Sequence, residues 1–323
     1  MNATGTVTDG VAGLSAMRLH THNASALKAV AFMPQGLVHF VAAAGCAKDT
    51  DCGAVVTTLE NNVAHGPVHL SCGGGALVSV PRGTLRKPFV GCDWAWHNMT
   101  GYLLPATPAV LVTNGIDRDV ANAALPLFSL AIEHTGPRTA SVWWSTVPGV
   151  SLSDMAGVAA SFNNVSVVAN HDGMQAAWNA RRQQLLAVLW REDAQSLNLT
   201  AGLLAGGSLQ ADRPALLSIR QSSQCGSFTV TAADPSNNPK GGVLTVRITS
   251  AGAGATICNV PPCACSSEGE VTSVRLQLPA GFDAGKSVDV TCVPHVCTTI
   301  PPAETTSAPH ALLTNHRPSR SIG

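Results

Sequence analysis

The chain has 323 residues, 19 basic and 19 acidic side chains and a formal net charge of zero, with charged residues at only 12% of the total. That balance excludes the basic stripe that nucleic acid or an anionic membrane surface would require, so no nucleic-acid partner is expected. The length accommodates a large domain and a small one, and 30 glycines and 20 prolines among many Thr, Ser and Val suit a β-rich protein with numerous turns.

In chain order, residues 1–30 are weakly patterned, with Met17 to His22 reading as an edge strand. Ala29 to Val41 reads as strand, turn, strand around Pro34-Gln35-Gly36. Cys46 to Gly53 is a polar loop that a disulfide could close. Val55 to Leu59 is a β-branched strand, followed by Glu60-Asn61-Asn62 and a further strand at Val68 to Leu70. Gly73-Gly74-Gly75 lacks the Lys-Ser/Thr of a phosphate loop and reads as a turn. Turn signals at Gly136-Pro137 and Pro148-Gly149 bracket an extended segment. There Ala140, Val142, Trp144 and Thr146 share one face, and Ser141, Trp143 and Ser145 share the other. Ser151 to Asp154 resembles a helix N-cap leading into Met155-Ala156-Gly157-Val158-Ala159. Met174 to Trp190 is rich in Ala, Gln, Arg and Leu, so local propensity favours helix while sheet context favours strand. Gly and Ala accumulate at 201–207, which marks a domain boundary. Beyond it Ser227–Thr231, Val243–Ile248 and Val271–Leu278 alternate with period two, as in a small sandwich. Thr298 to Gly323 is rich in Pro, Thr and Ser and reads as a disordered tail.

No apolar run approaches the roughly 18–20 residues needed to span a bilayer, and the most apolar stretch, Leu103 to Val112, is broken by Pro105 and Pro108. No membrane span is expected. The ten cysteines include the short-range pairs Cys46 with Cys52, Cys258 near Cys263 and Cys265, and Cys292 with Cys297. Their spacing fits a zinc site poorly, so disulfides are preferred to free thiols and metal. Five Asn-x-Ser/Thr sequons, at Asn2, Asn23, Asn98, Asn164 and Asn198, also suit a secretory route. The expected location is extracellular, although Met1 to Gly5 does not open a signal peptide.

The residues that could carry chemistry are few. His65 and His69 are four apart but flank Gly66-Pro67, which breaks the helix a metal pair would need. Asp93, His97 and Tyr102 form an acid–base grouping, with Trp94 and Trp96 as sugar-stacking platforms. Trp94, Trp96 and His97 are therefore the candidate carbohydrate-binding residues. Against this, two aromatics on one strand face commonly fill a core, and Tyr102 suits a buried residue with a hydrogen-bonded hydroxyl. No Gly-x-Ser-x-Gly elbow is present. No metal site or cofactor is implied, and nothing in the sequence indicates calcium.

Taken in order, several blocks resemble the C-terminal half of polysaccharide lyase family 8, which includes hyaluronate, chondroitin and xanthan lyases. They are Ala26-Leu27-Lys28-Ala29-Val30-Ala31-Phe32, Val55-Val56-Thr57-Thr58-Leu59-Glu60-Asn61 and the Trp94 to Pro105 block. The longest carries His134, Gly136, Pro137, Ala140, Pro148, Asn170, Gln175 and Ala176. Asp212-Arg213-Pro214 and Ala233-Asp234-Pro235 complete the series. The resemblance implies an all-β chain, with a large antiparallel supersandwich of the galactose-mutarotase-like type followed by a small C-terminal β-sandwich. It places the supersandwich at 1–204, the second sandwich at 205–297 and the tail at 298–323.

It also implies β-elimination at a uronic acid in an acidic polysaccharide such as hyaluronan, chondroitin or a xanthan-like chain. The C5 proton of a uronate is weakly acidic, so its carboxylate must be neutralised before a base can remove that proton. In the family this falls to Asn, His, Tyr and Arg on an α/α-toroid with no counterpart in this chain, so Tyr102 is not read as the catalytic Tyr. Glu60 is the candidate for a Glu that assists the active-site Arg in some members. The resemblance thus implies the C-terminal part of a secreted lyase that binds acidic polysaccharide and is inactive without the toroid. Whether the chain is itself an enzyme stays open, the alternative being a non-enzymatic carbohydrate-binding or cell-surface protein.

Overall fold

A computed structural model describes residues 4–21, 24–46, 55–105, 109–116, 126–134, 140–191, 196–199, 206–222, 227–249, 256–258, 265–268 and 271–294. The cysteine loop at 47–54, the Gly136-Pro137 turn, the Gly/Ala-rich segment at 201–205 and the tail lie outside them.

The fold is a stack of four antiparallel sheets. The first has four strands, in the order Val55–Val63, Pro126–His134, Ala109–Ile116, Thr84–Val90. The second has nine: Thr4–Thr8, Gly13–His20, Ala24–Met33, Gly36–Cys46, Ala140–Pro148, Thr100–Leu103, Cys92–His97, Val68–Cys72 and Ala76–Val80. The third has seven: Val165–His171, Met174–Asn179, Gln184–Leu189, Ala215–Gln221, Phe228–Ala233, Val288–Pro294 and Thr256–Cys258. The fourth has five: Leu197–Leu199, Gly207–Ala211, Gly242–Thr249, Val271–Leu278 and Cys265–Glu268. This is the all-β supersandwich with a small C-terminal sandwich that the sequence leads one to expect.

Three apolar layers hold the stack together. Leu70, Tyr102, Phe128, Leu130 and Trp144 fill the space between the first two sheets. Leu14, Phe40, Trp94, Leu186 and Val188 fill the next. Leu185, Leu217, Val230, Val246 and Leu276 fill the last. The second and third sheets are therefore covered on both faces, which explains Met174 to Trp190. Every residue of Met174–Asn179 and Gln184–Leu189 is buried, with Ala177 and Leu186 facing one core and Ala176 and Leu185 the other. Burial on both faces overrides the helical propensity of Ala, Gln and Leu, and two strands form. The third sheet belongs to both units, since one face closes the supersandwich and the other the small sandwich.

Several local expectations hold. The hairpin turns at Gly36, whose φ is +144°. A β carbon there would sit 2.6 Å from the Thr146 carbonyl, so the neighbouring strand requires glycine. Gly73, Gly74 and Gly75 turn with positive φ. In Val271–Leu278, Thr272, Val274, Leu276 and Leu278 are buried while Arg275 and Gln277 are exposed. Ser151 leads through a short 3-10 turn into the helix Met155–Ser161.

Two expectations need correction. The edge strand of the second sheet is Thr4–Thr8, and Gly13–His20, which contains Met17, lies one place in. The pairing of Cys292 with Cys297 by proximity also fails. Cys292 bonds Cys265 instead, joining the third sheet to the fourth across the last core. A further bridge, Cys72–Cys92, joins neighbouring strands of the second sheet. Sequence separations of 27 and 20 made both partnerships invisible to a reading by spacing.

Candidate functional site

Glu60 reaches its position through an irregularity in its strand. Val55–Val63 pairs with Pro126–His134, and the register jumps so that Leu130 faces Glu60 while Ala131 faces Thr58. Leu59 is the extra residue of a β-bulge, and such a bulge re-aims the side chain that follows it. Leu59 packs on the core between the first two sheets, and the Glu60 carboxylate meets the Tyr102 hydroxyl, which donates to its Oε2 at 2.9 Å. Oε1 accepts the Asn61 N–H at 3.0 Å.

Tyr102 comes from the other sheet, on the short strand Thr100–Leu103 between Ala140–Pro148 and Cys92–His97. It is 2% exposed. Burial, then the Glu60 hydrogen bond, raise its ionisation well above the ordinary phenol range. It is therefore a fixed neutral donor, which agrees with the buried, hydrogen-bonded role read from the sequence.

His97 lies beside this pair, 4% exposed, with its ring 4.2 Å from that of Phe128. Its Nε2 accepts the His65 backbone N–H at 3.1 Å, which requires that nitrogen to be unprotonated. Burial and then the charge of His65 hold its pKa below the ordinary value, with Glu60 opposing. A ring that neutral and that buried does not reach a sugar. The His69 ring shares a hydrogen bond with Ser79 Oγ at 3.0 Å, while His65 meets His97 through its backbone N–H.

The tryptophans go to the core. Trp94 packs among Phe40, Leu103 and Val147, and its 9% exposure leaves no ring face for stacking. Trp96 is half-buried against the same core and donates its indole N–H to the Val150 carbonyl at 2.8 Å. Cα–Cβ alternation puts both on the face turned toward the third sheet, while Ala95 and Tyr102 face the first. Of the residues singled out from sequence, the structure thus brings Glu60, His97 and Tyr102 together and buries Trp94 away from them. The Glu60–Tyr102 bond joins residues 42 apart on two sheets, and no sequence signal links them.

The block that carries Asn170 and Gln175 has a structural use. A second bulge shifts the pairing of Gly36–Cys46 with both neighbours, between Ser25 and Leu27 on one side and Ala140 and Val142 on the other. Side-chain amides meet backbone carbonyls at this irregularity. Asn170 Nδ2 donates to the Val142 carbonyl at 2.9 Å and the Val41 carbonyl at 3.4 Å. Gln175 Nε2 donates to the Leu27 carbonyl at 3.1 Å. The same Gln175 accepts the Trp190 indole N–H at 3.3 Å. These amides clasp the third sheet to the second. His134 is likewise buried, with Nε2 2.7 Å from Thr57 Oγ1.

The arrangement can hold a carboxylate at the margin of the first core with one oxygen fixed by a neutral phenol. It can therefore position a cationic group brought to it. Among the described residues no group of three or more His, Cys, Asp or Glu side chains is placed to hold a metal.

Comparison with known proteins places these observations. Residues 1–159 match the super-sandwich domain of polysaccharide lyase family 8. Residues 166–241 match the C-terminal beta-sandwich domain of the same family. No curated protein sequence matches the chain. Among solved structures, a chondroitinase AC lyase shares 21% identity at a TM-score of 0.67, covering 89% of this chain and 39% of that one. A Paenibacillus xanthan lyase shares 18% at 0.68, covering 90% and 29%. The Streptomyces coelicolor A3 chondroitin AC lyase in complex with chondroitin sulphate shares 19% at 0.63, covering 90% and 36%. The chain thus spans between about three tenths and two fifths of the length of these relatives.

Proposed function

The chain belongs to polysaccharide lyase family 8, and from that premise we propose that it forms the β-structured part of a lyase that cleaves uronic-acid-containing polysaccharides by β-elimination. In that reaction a base removes the C5 proton, the electron pair forms the C4–C5 double bond, and the C4–O bond breaks as its oxygen gains a proton. The polysaccharides named for the structural neighbours, chondroitin and xanthan, support an acidic polysaccharide as substrate.

The observation that carries the reading is Glu60. Its carboxylate is bulge-directed and pinned by a neutral Tyr102, as a group that orients a cation must be. Tyr102, the single tyrosine, is committed as donor to Glu60 and is not available as the base. Proton abstraction and neutralisation of the substrate carboxylate then fall to residues beyond this cluster. Secretion is part of the proposal. Two disulfides among the described residues support it, as do Asn98, Asn164 and Asn198, the three described sequons, all of which are exposed.

A glycan array with ultraviolet detection of unsaturated product tests the proposal. The 323-residue chain is expected to retain hyaluronan, chondroitin or xanthan over neutral glucans, and to release no product. Rapid product release by this chain would sink its dependence on further residues. Retention without release, unchanged when the rest of a lyase polypeptide is supplied, would favour a non-enzymatic binding module. Equal retention of neutral glucans would remove acidic polysaccharide as the ligand.

A further inference from the structure

A surface cavity of about 420 Å³ opens on the second sheet where it meets the turn between Val165–His171 and Met174–Asn179. That volume lies within the range of small-molecule sites. The polar groups around it are Arg18, His20, Ser25, Asp172 and Arg191. Its floor includes Ala43, a non-glycine residue held at φ +50° by the bulge in Gly36–Cys46. A bulge bends its strand, and backbone forced into this region commonly marks a shaped site.

The charges in the hollow do not cancel. Arg191 is paired with Asp172. Arg18 has no carboxylate partner among the described residues. Its Nη2 donates to the Trp190 carbonyl at 3.3 Å and its Cζ stands 6.0 Å from the centre of the Trp190 ring. Among the described residues two guanidinium groups face one carboxylate, which leaves a positive charge over. Trp190 is 3% exposed and its own N–H is tied to Gln175, so Arg18 rests on a fixed support. Among the described residues this guanidinium makes a single donation, to a backbone carbonyl, and its planar fork matches a carboxylate.

We propose that this hollow is a binding site for the carboxylate of a hexuronate residue, separate from the Glu60 site. Arg18 is the principal ligand, Arg191 adds charge, and Ser25 and His20 meet ring hydroxyls. A single sugar fits the volume. The proposal rests on the acidic-polysaccharide reading for its biological ligand and on the geometry alone for the site itself.

The test uses sodium glucuronate, glucose and a hyaluronan hexasaccharide, titrated against the chain, Arg18→Gln and Arg18→Lys. Binding is followed by calorimetry and by the NMR shift of the Arg18 Nε–H. Glucuronate is expected to bind and to move that resonance, and glucose to do neither. Arg18→Gln should weaken glucuronate about tenfold, as loss of a charge-assisted fork does, with Arg18→Lys in between. The hexasaccharide should weaken by a similar factor. Glucuronate binding unaltered in Arg18→Gln, or a glucose shift equal to that of glucuronate, would overturn the site. Hexasaccharide binding that Arg18→Gln leaves intact would also overturn it while leaving the polysaccharide reading in place. Glucuronate bound through Arg18 with no hexasaccharide binding would support the site and remove the polysaccharide reading.

Discussion

At the scale of single residues, the Glu60–Tyr102 bond is the feature most open to measurement. Tyr102 is buried, so removing its acceptor leaves a hydroxyl without a partner, whereas removing both ends does not. Glu60→Ala is expected to cost about 1–3 kcal/mol, the usual penalty for an unsatisfied buried polar group. Tyr102→Phe should cost about 1 kcal/mol, and the double variant clearly less than the sum. Urea unfolding of the four species checks this, and strict additivity would falsify the pairing. Glu60 was legible in the sequence only as a position in a resembling block, because a bulge that re-aims a side chain leaves no mark in composition. Tyr102 was legible as buried because it stands in a strand between apolar neighbours. Trp94 and Trp96 were read from sequence both as platforms and as core, and the alternation along Cys92–His97 decides between these by turning both toward a covered face.

At the scale of elements, the clasp formed by Asn170 and Gln175 joins two sheets through the carbonyls of Leu27, Val41 and Val142. Gln175→Leu keeps the apolar bulk but leaves the Leu27 carbonyl and the Trp190 N–H unmatched in the interior. A loss of about 2–4 kcal/mol is expected for two such groups. Hydrogen exchange should quicken in Ala24–Met33 and Gly36–Cys46 more than in Gly242–Thr249, which lies in another layer. Uniform quickening would argue against a local clasp. Strands with one solvated face, such as Val271–Leu278, were legible because their alternation is intact. Met174–Asn179 and Gln184–Leu189 were not, since a strand buried on both faces has no alternation to show.

At the scale of the whole molecule, burial of neutral imidazoles ties stability to pH. Burial lowers the pKa of His39 to about 4. Burial likewise lowers His97, helped by His65, and His134, helped by Lys28. The unfolded chain takes up protons near the ordinary histidine value of about 6.5, so below that pH it binds more than the folded chain. Stability from these groups is complete above about 6.5 and declines as pH falls toward the folded values. For His39, whose ring stacks on Trp144 at 4.7 Å and meets Thr146 Oγ1 at 3.1 Å, the loss reaches roughly 3 kcal/mol near pH 4. Thermal melts from pH 7.5 to 4.5 should show the decline, with a shallower slope in His39→Gln. Identical slopes would remove His39 as a source.

The layered architecture was legible through the order of its motifs, although no single core could be drawn from the sequence. Each core draws on residues from distant strands, such as Leu14 with Leu186. The long-range disulfide Cys265–Cys292 escaped for the same reason.

A sheet with one wet face polices its own alignment, because sliding a strand by one place turns its greasy side outward. The second sheet here has no wet face along Val142–Val147, where every residue is buried or half-buried. Trp144 points into one core and Trp143 packs against the next, so a slide by one place would merely exchange two indoles between two dry compartments. Hydrophobicity alone then cannot tell the correct alignment from its neighbour. The amides of Asn170 and Gln175 can, since they fit only where the bulge presents their three carbonyls. In this protein the polar clasp acts as a vernier: it tells the central strands where to stop.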